Sequence, residues 1–286
     1  MYNNDSKSVL VTGASSGIGH AVALHLTQKG FTVLASVRKQ ADADQLSAYK
    51  FSGLHPVSPL DLTDPTQITT ITSQIKEMVN SGKIPPLYSI INIAGSGQIA
   101  PIELMNIDAY RNELEKRLVG PVALLQELLL LLRVTHGRII WIATPGLLPV
   151  PYVADIHASD FAVNYLARTL NIELKPDGIH NILVRCGGIA TTSPEKTEQQ
   201  LTDMINSSAN ETTKIYRNRL LQLQKSFIKF DKKRTDPQIV ALTIEKALTA
   251  KHPHTRYQVG YMSALGAFVE KLPQSLVDAI MKRQYM

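Results

Sequence analysis

Val9-Leu10-Val11-Thr12-Gly13-Ala14-Ser15-Ser16-Gly17-Ile18-Gly19 is a short apolar run that stops at a glycine-rich turn. A helical pattern follows, with apolar positions at Ala21, Val22, Leu24 and Leu26. Glycine spacing alone is a weak signal. The strand–turn–helix frame gives it chemical meaning. Gly13 permits the tight turn, Gly17 lets the backbone approach a phosphate, and Gly19 allows the helix to pack closely on the strand. The first turn of the helix then presents free N–H groups and a positive dipole end to an anion.

Outward from this turn, apolar strands alternate with helical patterns along the chain. That alternation predicts an α/β fold, a doubly wound parallel sheet of the Rossmann type. The second strand is Phe31–Ser36, the third ends in Pro59-Leu60-Asp61-Leu62, and the fourth is Tyr88–Asn92. Asp64-Pro65 opens a helix with an N-cap and a proline at the first position. Asn106 to Arg133 reads as one long helix with a step at Gly120-Pro121. Then come a strand at Arg138–Ile142, a helix from Ala158 to Leu174, and a sixth strand at His180–Val184. Further helical and strand patterns run from Asp236 to Ala250 and from Arg256 to Gly260. No repeat or linker breaks the 286 residues, so residues 1–286 are expected to form one domain.

Composition narrows the class. A hydrophobic content of 44% suits a packed core, and the net charge of +6 is scattered. The one dense basic stretch, Lys229 to Arg234, reads as a solvated loop, so no nucleic-acid partner is expected. One cysteine, Cys186, excludes an intramolecular disulfide. The first eight residues lack the apolar centre of a secretory signal, and the run Leu128–Leu132 is too short for a bilayer. A cytoplasmic protein without a transmembrane segment is the expectation, and the sequons at Asn206 and Asn210 carry no meaning there. The eight histidines are dispersed and no cysteine pair exists, so no metal site is expected.

At the end of the second strand a dinucleotide fold meets the adenosine ribose. An acid there would bind the 2′-hydroxyl, whereas arginine accommodates a 2′-phosphate. No Asp or Glu stands between Phe31 and Gln40, and Arg38 does. With Ser15 in the turn, NADP(H) is favoured over NAD(H).

The Thr-Gly-x-x-x-Gly-x-Gly pattern at Thr12–Gly19 resembles the cofactor turn of the short-chain dehydrogenase/reductase family, and the resemblance covers essentially the whole chain. It implies cofactor contacts at Gly13, Ser15, Ser16, Gly17, Ile18 and Gly19, at Arg38, and at the Asp61-Leu62 pair beside the adenine. Asn92-Ile93-Ala94-Gly95 is similar to the family's Asn-Asn-Ala-Gly, with Ile93 replacing the second Asn, so Asn92, Ala94 and Gly95 are carried over. Cys186-Gly187-Gly188-Ile189-Ala190-Thr191 resembles the family's Pro-Gly-x-x-x-Thr turn, implying that Gly188, Ile189 and Thr191 hold the nicotinamide carboxamide. Residues 192–231 take the place of a helical substrate lid. The C-terminal segment looks like the retinol and hydroxysteroid dehydrogenase branch.

The catalytic set breaks the resemblance. The family uses a Tyr as acid/base, a Lys four residues on, a Ser before them, and an Asn on the long helix. Ile156-His157-Ala158-Ser159-Asp160 aligns on its Tyr-x-x-Ser-Lys, which puts Ile156 at the Tyr and Asp160 at the Lys. Counting back thirteen residues lands on Ala143 for the Ser, and the Asn falls on Arg117. Tyr152 and Tyr165 are the nearest tyrosines, but Ile156 and Thr169 stand four residues after them. Thr144 could supply a hydroxyl if its loop shifts. His157 lies one residue from the Tyr position, so its side chain should point about 100° away, as a surface or interface histidine. His20 reads as a helix-packing residue.

Arg117 and Asp160, each costly to bury alone, are expected to form an ion pair under the pocket. Two function classes stay open. One is a degenerate member that binds NADP(H) and serves as a regulatory or partner subunit, as a homo-oligomer or beside an active relative. The other is a repurposed reductase, or a cyclase or isomerase, acting on a lipophilic small molecule. An already activated acceptor such as an iminium would need no phenol.

Overall fold

The structure is a computed structural model that describes residues 7–145, 148–191, 193–206 and 211–285. The reading of the first six residues, the lid boundary at Thr192 and the sequon at Asn210 lie outside them. Seven parallel strands form one sheet in the order β3-β2-β1-β4-β5-β6-β7. They are β1 (Ser8–Val11), β2 (Thr32–Ser36), β3 (Leu54–Val57), β4 (Leu87–Asn92), β5 (Arg138–Ala143), β6 (His180–Cys186) and β7 (Arg256–Val259).

Alternate strand residues feed two cores, as a pleated strand requires. Val9, Val33, Ile91 and Ile140 face one side, where α1 (Gly17–Gln28), α2 (Gln40–Ser47) and α9 (Pro237–Thr249) pack. Leu10, Leu34, Ile90 and Trp141 face the other, against α3 (Pro65–Asn80), α5 (Gly120–Thr135) and α6 (Ala154–Glu173). Helices α7 (Ser193–Asn206) and α8 (Glu211–Asp231) occupy the lid segment and bring Leu201, Ile205, Leu220 and Leu223 into a third cluster with Ile99 and Val153. Helices α10 (Ser263–Val269) and α11 (Gln274–Tyr285) close the chain. Arg185 of β6, fully buried, makes a two-pronged ion pair with Glu270 at the end of α10.

Four sequence expectations are corrected. The third strand ends at Val57, and Asp61-Leu62 lie in the loop beyond it. The helix expected from Ala158 starts four residues earlier, at Ala154, so Ile156 and Asp160 both stand within α6 and Asp160 is no cap. The long helix has no step at Gly120-Pro121. Its irregularity is a π turn at Glu115–Val119, joining α4 (Ile107–Leu114) to α5. Pro121 explains this. Its ring lacks an N–H and crowds the carbonyl four residues back, that of Arg117, and a π turn relieves both. Gly120 is required at the junction because a Cβ there would overlap the Leu62 carbonyl. Finally, the helix Ile107–Thr135 is long and apolar enough, by length and composition, to cross a membrane. Leu124, Leu125, Leu128 and Leu132 nevertheless lie buried in the second core.

Candidate active site

The glycine turn sits where the strand order reverses, between β1 and β4, the usual crevice for a ligand in such sheets. Gly13 and Gly17 adopt φ of +70° and +57°, which glycine takes without strain. A Cβ on Gly13 would stand 3.2 Å from Ala94 Cα, and one on Gly17 3.2 Å from Thr191 Cγ2. One on Gly19 would overlap the Gly13 carbonyl. The turn therefore meets both Ala94 of the β4 loop and Thr191 of the β6 loop. The buried Thr12 hydroxyl accepts from the Ile93 N–H at 2.9 Å, which ties the turn to the β4 loop. Ser16, the N-cap of α1, makes no side-chain cap bond, and the first turn holds no acid, so its N–H groups are left for an anion. Ser15 and Ser16 are exposed and Ile18 is half-buried. The amide of Asn92, 6% exposed, has neither atom partnered among the described residues. A tight glycine cradle beside an orphaned buried amide is what a dinucleotide would fill.

At the adenosine end, Arg38 is exposed at the end of β2, and Leu62 is buried. One oxygen of Asp61 takes the Thr63 N–H at 3.0 Å. A cleft of about 410 Å³ beside Ser15 is lined by His20, Asp42 and Tyr49 among others. His20 packs on Tyr49, with Nε2 3.2 Å from its hydroxyl, and burial lowers its pKa. Asp42, two residues past Gln40, is thus an acid near the turn. At the other end, Phe230 packs on Gly188 and Arg234 donates to the Ile189 carbonyl at 3.2 Å.

Of the four residues at the family's catalytic positions, two form the expected pair. Arg117 Nη1 lies 2.8 Å from Asp160 Oδ1, and Asp160 is fully buried. Its other oxygen accepts the Thr144 N–H at 2.9 Å. The pair is larger than expected. Glu113, one α-helical turn before Arg117, bonds the Arg117 Nε, and its Oε2 lies 3.1 Å from Lys116. Glu113 also takes the Ser96 N–H at 2.8 Å, while Asp155 takes the Gln98 N–H at 2.8 Å. Carboxylates therefore pin the backbone of the β4 loop at two points, and Arg117 stacks over Gly95 between β4 and the first of them. Burial pushes the Glu113 carboxyl up, but Arg117 and Lys116 outweigh it and hold it below its ordinary value. Burial likewise lowers Arg117, and Asp160 with Glu113 more than restores it.

Ile156 packs over Gly97 and joins the lid cluster, and Ala143 is buried at the end of β5. His157 is a correction. It is half-buried near Asp160 and Arg117, and its Nδ1 is buried without a partner among the described residues. Burial lowers its pKa, so the ring is neutral at pH 7. The side chain is not on an open surface, because Arg117 of the π turn and Asp160 of its own helix lie close to it. The Thr144 hydroxyl is also buried and unpartnered. Burial pushes the Cys186 thiol up to about 12, leaving it unreactive.

Fold and cleft together define a dinucleotide-binding protein of the doubly wound class. The family can now be stated: residues 7–202 match the model of the short chain dehydrogenases, and the chain belongs to that family. It is 30% identical over 295 residues to estradiol 17-beta-dehydrogenase 2 of Rattus norvegicus, covering 98% of this chain and 75% of the relative. It is 30% identical to retinol dehydrogenase 5 of Homo sapiens, covering 96% and 87%. It is 31% identical over 258 residues to the 3-amino-tetrahydro-pyrrolizinone reductase of Xenorhabdus hominickii, covering 89% and 87%. Among solved structures, a short-chain dehydrogenase from Streptomyces avermitilis superposes with a TM-score of 0.75 at 24% identity, covering 97% and 95%. One from Burkholderia cenocepacia, in complex with NADP, gives 0.73 at 19% identity, covering 98% and 99%.

Proposed function

We propose that the protein holds NADP(H) in the glycine-turn cleft, does not exchange alcohols for ketones, and serves as a regulatory or partner subunit. One observation carries this reading. The carboxylate of Asp160, where the family places its lysine, is buried and locked between Arg117 and the Thr144 N–H. When bound, the nicotinamide supplies a hydride donor or acceptor. Protonating the resulting alkoxide falls to the protein, and Ile156 has no proton to give. Loss of the general acid (about 10²–10⁴-fold) and of an oxyanion donor (about 10²–10³-fold) compound. Arg38 and Ser15 support the 2′-phosphate, with Asp42 as the opposing group. Calorimetry should give a tighter Kd for NADPH than for NADH, and Arg38→Gln should weaken NADPH alone by ~10-fold or more. Equal affinities, or robust NADP⁺-dependent oxidation of retinol or a hydroxysteroid, would overturn the proposal.

The partner role is supported by exposed apolar side chains on two helices: Leu130 and Val134 on α5, and Phe161, Tyr165 and Ile172 on α6. A second reading, a reductase of pre-activated lipophilic acceptors, is favoured by the similarity to the Xenorhabdus 3-amino-tetrahydro-pyrrolizinone reductase.

A further inference from the structure

We propose that α10 and α11, with the basic end of α8 beside them, form a face that docks on an anionic lipid surface, lying on the bilayer rather than crossing it. The inference does not depend on whether the protein transfers hydride.

An unpartnered apolar stripe is the first ground. Met262, Leu265 and Phe268 recur every three residues from the cap of α10 onward, and all are exposed, Phe268 to 62%. Ser263 and Gly266, one residue after the first two, are buried. On α11 the pattern repeats, with Leu276 and Ile280 exposed beside the buried Val277 and Met281. Single exposed apolar side chains are ordinary, but stripes at helical spacing on consecutive helices mark a contact surface. These helices are also anchored. Arg185 of β6 holds Glu270 at the end of α10, and the Ser263 hydroxyl donates to the Arg185 carbonyl at 2.7 Å. The stripe on α10 is thereby fixed facing outward.

Charge is the second ground. Lys229, Lys232 and Lys233 at the end of α8, Lys271 after α10, and Lys282 and Arg283 on α11 are all exposed. Of the acids in the same stretches, Asp231 is taken by Arg234 and Glu270 by Arg185, which leaves Asp278. Six cations thus stand against one free carboxylate. The two stretches are contiguous. Lys233 Nζ lies 5.8 Å from the centre of the Tyr261 ring, and the Phe230 ring packs on it at 5.3 Å, immediately before Met262. Helix α11 in turn packs on α8. The basic run that reads as a solvated loop in sequence therefore borders the apolar stripe.

The two grounds together select the occupant. The core of a protein interface is depleted of lysine, and a nucleic acid would leave leucine and phenylalanine without a partner. A lipid surface uses both, because apolar side chains enter the acyl boundary while lysine stems reach back to the headgroups. Each Lys or Arg beside an anionic leaflet raises partitioning by ~5-fold.

The test uses the full chain and vesicles of phosphatidylcholine, alone or with about a third phosphatidylserine. Co-sedimentation should show at least ~10-fold stronger binding to the anionic vesicles, falling as salt rises from about 0.1 to about 0.5 M. Leu265→Ser with Phe268→Ser should weaken it by ~10-fold or more, as should Lys229→Gln with Lys232→Gln and Lys282→Gln. A fluorophore on Phe268→Cys locates the contact, since the buried Cys186 does not compete for the label. Its emission should shift to the blue on anionic vesicles, and that of the same dye on Ile172→Cys of α6 should not. Should the serine pair not fold, the lipid and salt dependence of the unmodified protein and the dye on Phe268→Cys carry the test. No binding, or equal binding to both kinds of vesicle, overturns the proposal. So does a blue shift at position 172 alone, which moves the contact to α5 and α6. A dimer that dissociates in the serine pair overturns it as well, by giving the face to a second copy of the chain.

Discussion

Replacing Arg117 by methionine removes the one guanidinium that two buried carboxylates share. Asp160 then keeps only the Thr144 N–H, and Glu113 keeps Lys116 and the Ser96 N–H. A carboxylate buried without its cation costs about 3–5 kcal/mol, and Asp160 meets that condition in full. The reverse perturbation is milder. Asp160→Asn still offers an oxygen to Thr144, and Arg117 keeps Glu113, so the loss is that of a charged hydrogen bond, about 1.5–3 kcal/mol. Combining the two removes the orphaned charge, so the double variant should cost less than the sum by about 1–3 kcal/mol. Urea denaturation of the four proteins, with the m-value unchanged, measures each quantity. Strict additivity, or a loss below about 1 kcal/mol for Arg117→Met, would show that Arg117 does not hold these carboxylates.

Restoring the family's pair by Ile156→Tyr with Asp160→Lys should not yield retinol oxidation, because the new ammonium would be buried against Arg117. Adding Arg117→Asn should recover thermal stability, and a double variant as stable as the parent would contradict this. His157 binds protons more weakly folded than unfolded, so its contribution is complete above about pH 6.5 and fades as pH falls toward the lowered folded value. His157→Gln should therefore flatten the drop in Tm on acidification, partly, because burial also lowers His20, His55 and His180. Cys186 should resist thiol reagents at pH 8 until urea unfolds the chain, and rapid labelling of the native protein would contradict its burial.

The sheet and the glycine turn were legible in the sequence because they are local. Alternation at Val9, Leu10 and Val11 names both cores, and Gly19 answers to the Gly13 carbonyl six residues before it. Gly13 and Gly17 take the positive φ of the turn, although the residues they clear, Ala94 and Thr191, come from distant loops. The Arg117–Asp160 pair was legible because burying either charge alone is prohibitive. Glu113 was within reach, four residues before Arg117 on a helix, but nothing local says that this face turns inward. Asp155 was hidden by placing the helix start at Ala158, when the turn after Pro151 opens it at Ala154 with an acid in the first turn. Arg185 and Glu270 lie 85 residues apart, and no periodicity joins them.

The π turn at Glu115–Val119 has a consequence for how this chain can change. A π turn is one residue more than an α-helix needs, kept open here by Pro121 on one side and the contact of Gly120 with Leu62 on the other. Deleting any single residue from it would regularise the helix and rotate everything before the deletion by about 100° relative to α5. Glu113 would swing off the β4 loop, and α4 would lose its alignment with α6. Exposed side chains in this segment, such as Val119, can be exchanged, but Arg117 cannot be lost cheaply and the length of the segment is fixed. An insertion or deletion here should be tolerated only with a compensating change at Pro121.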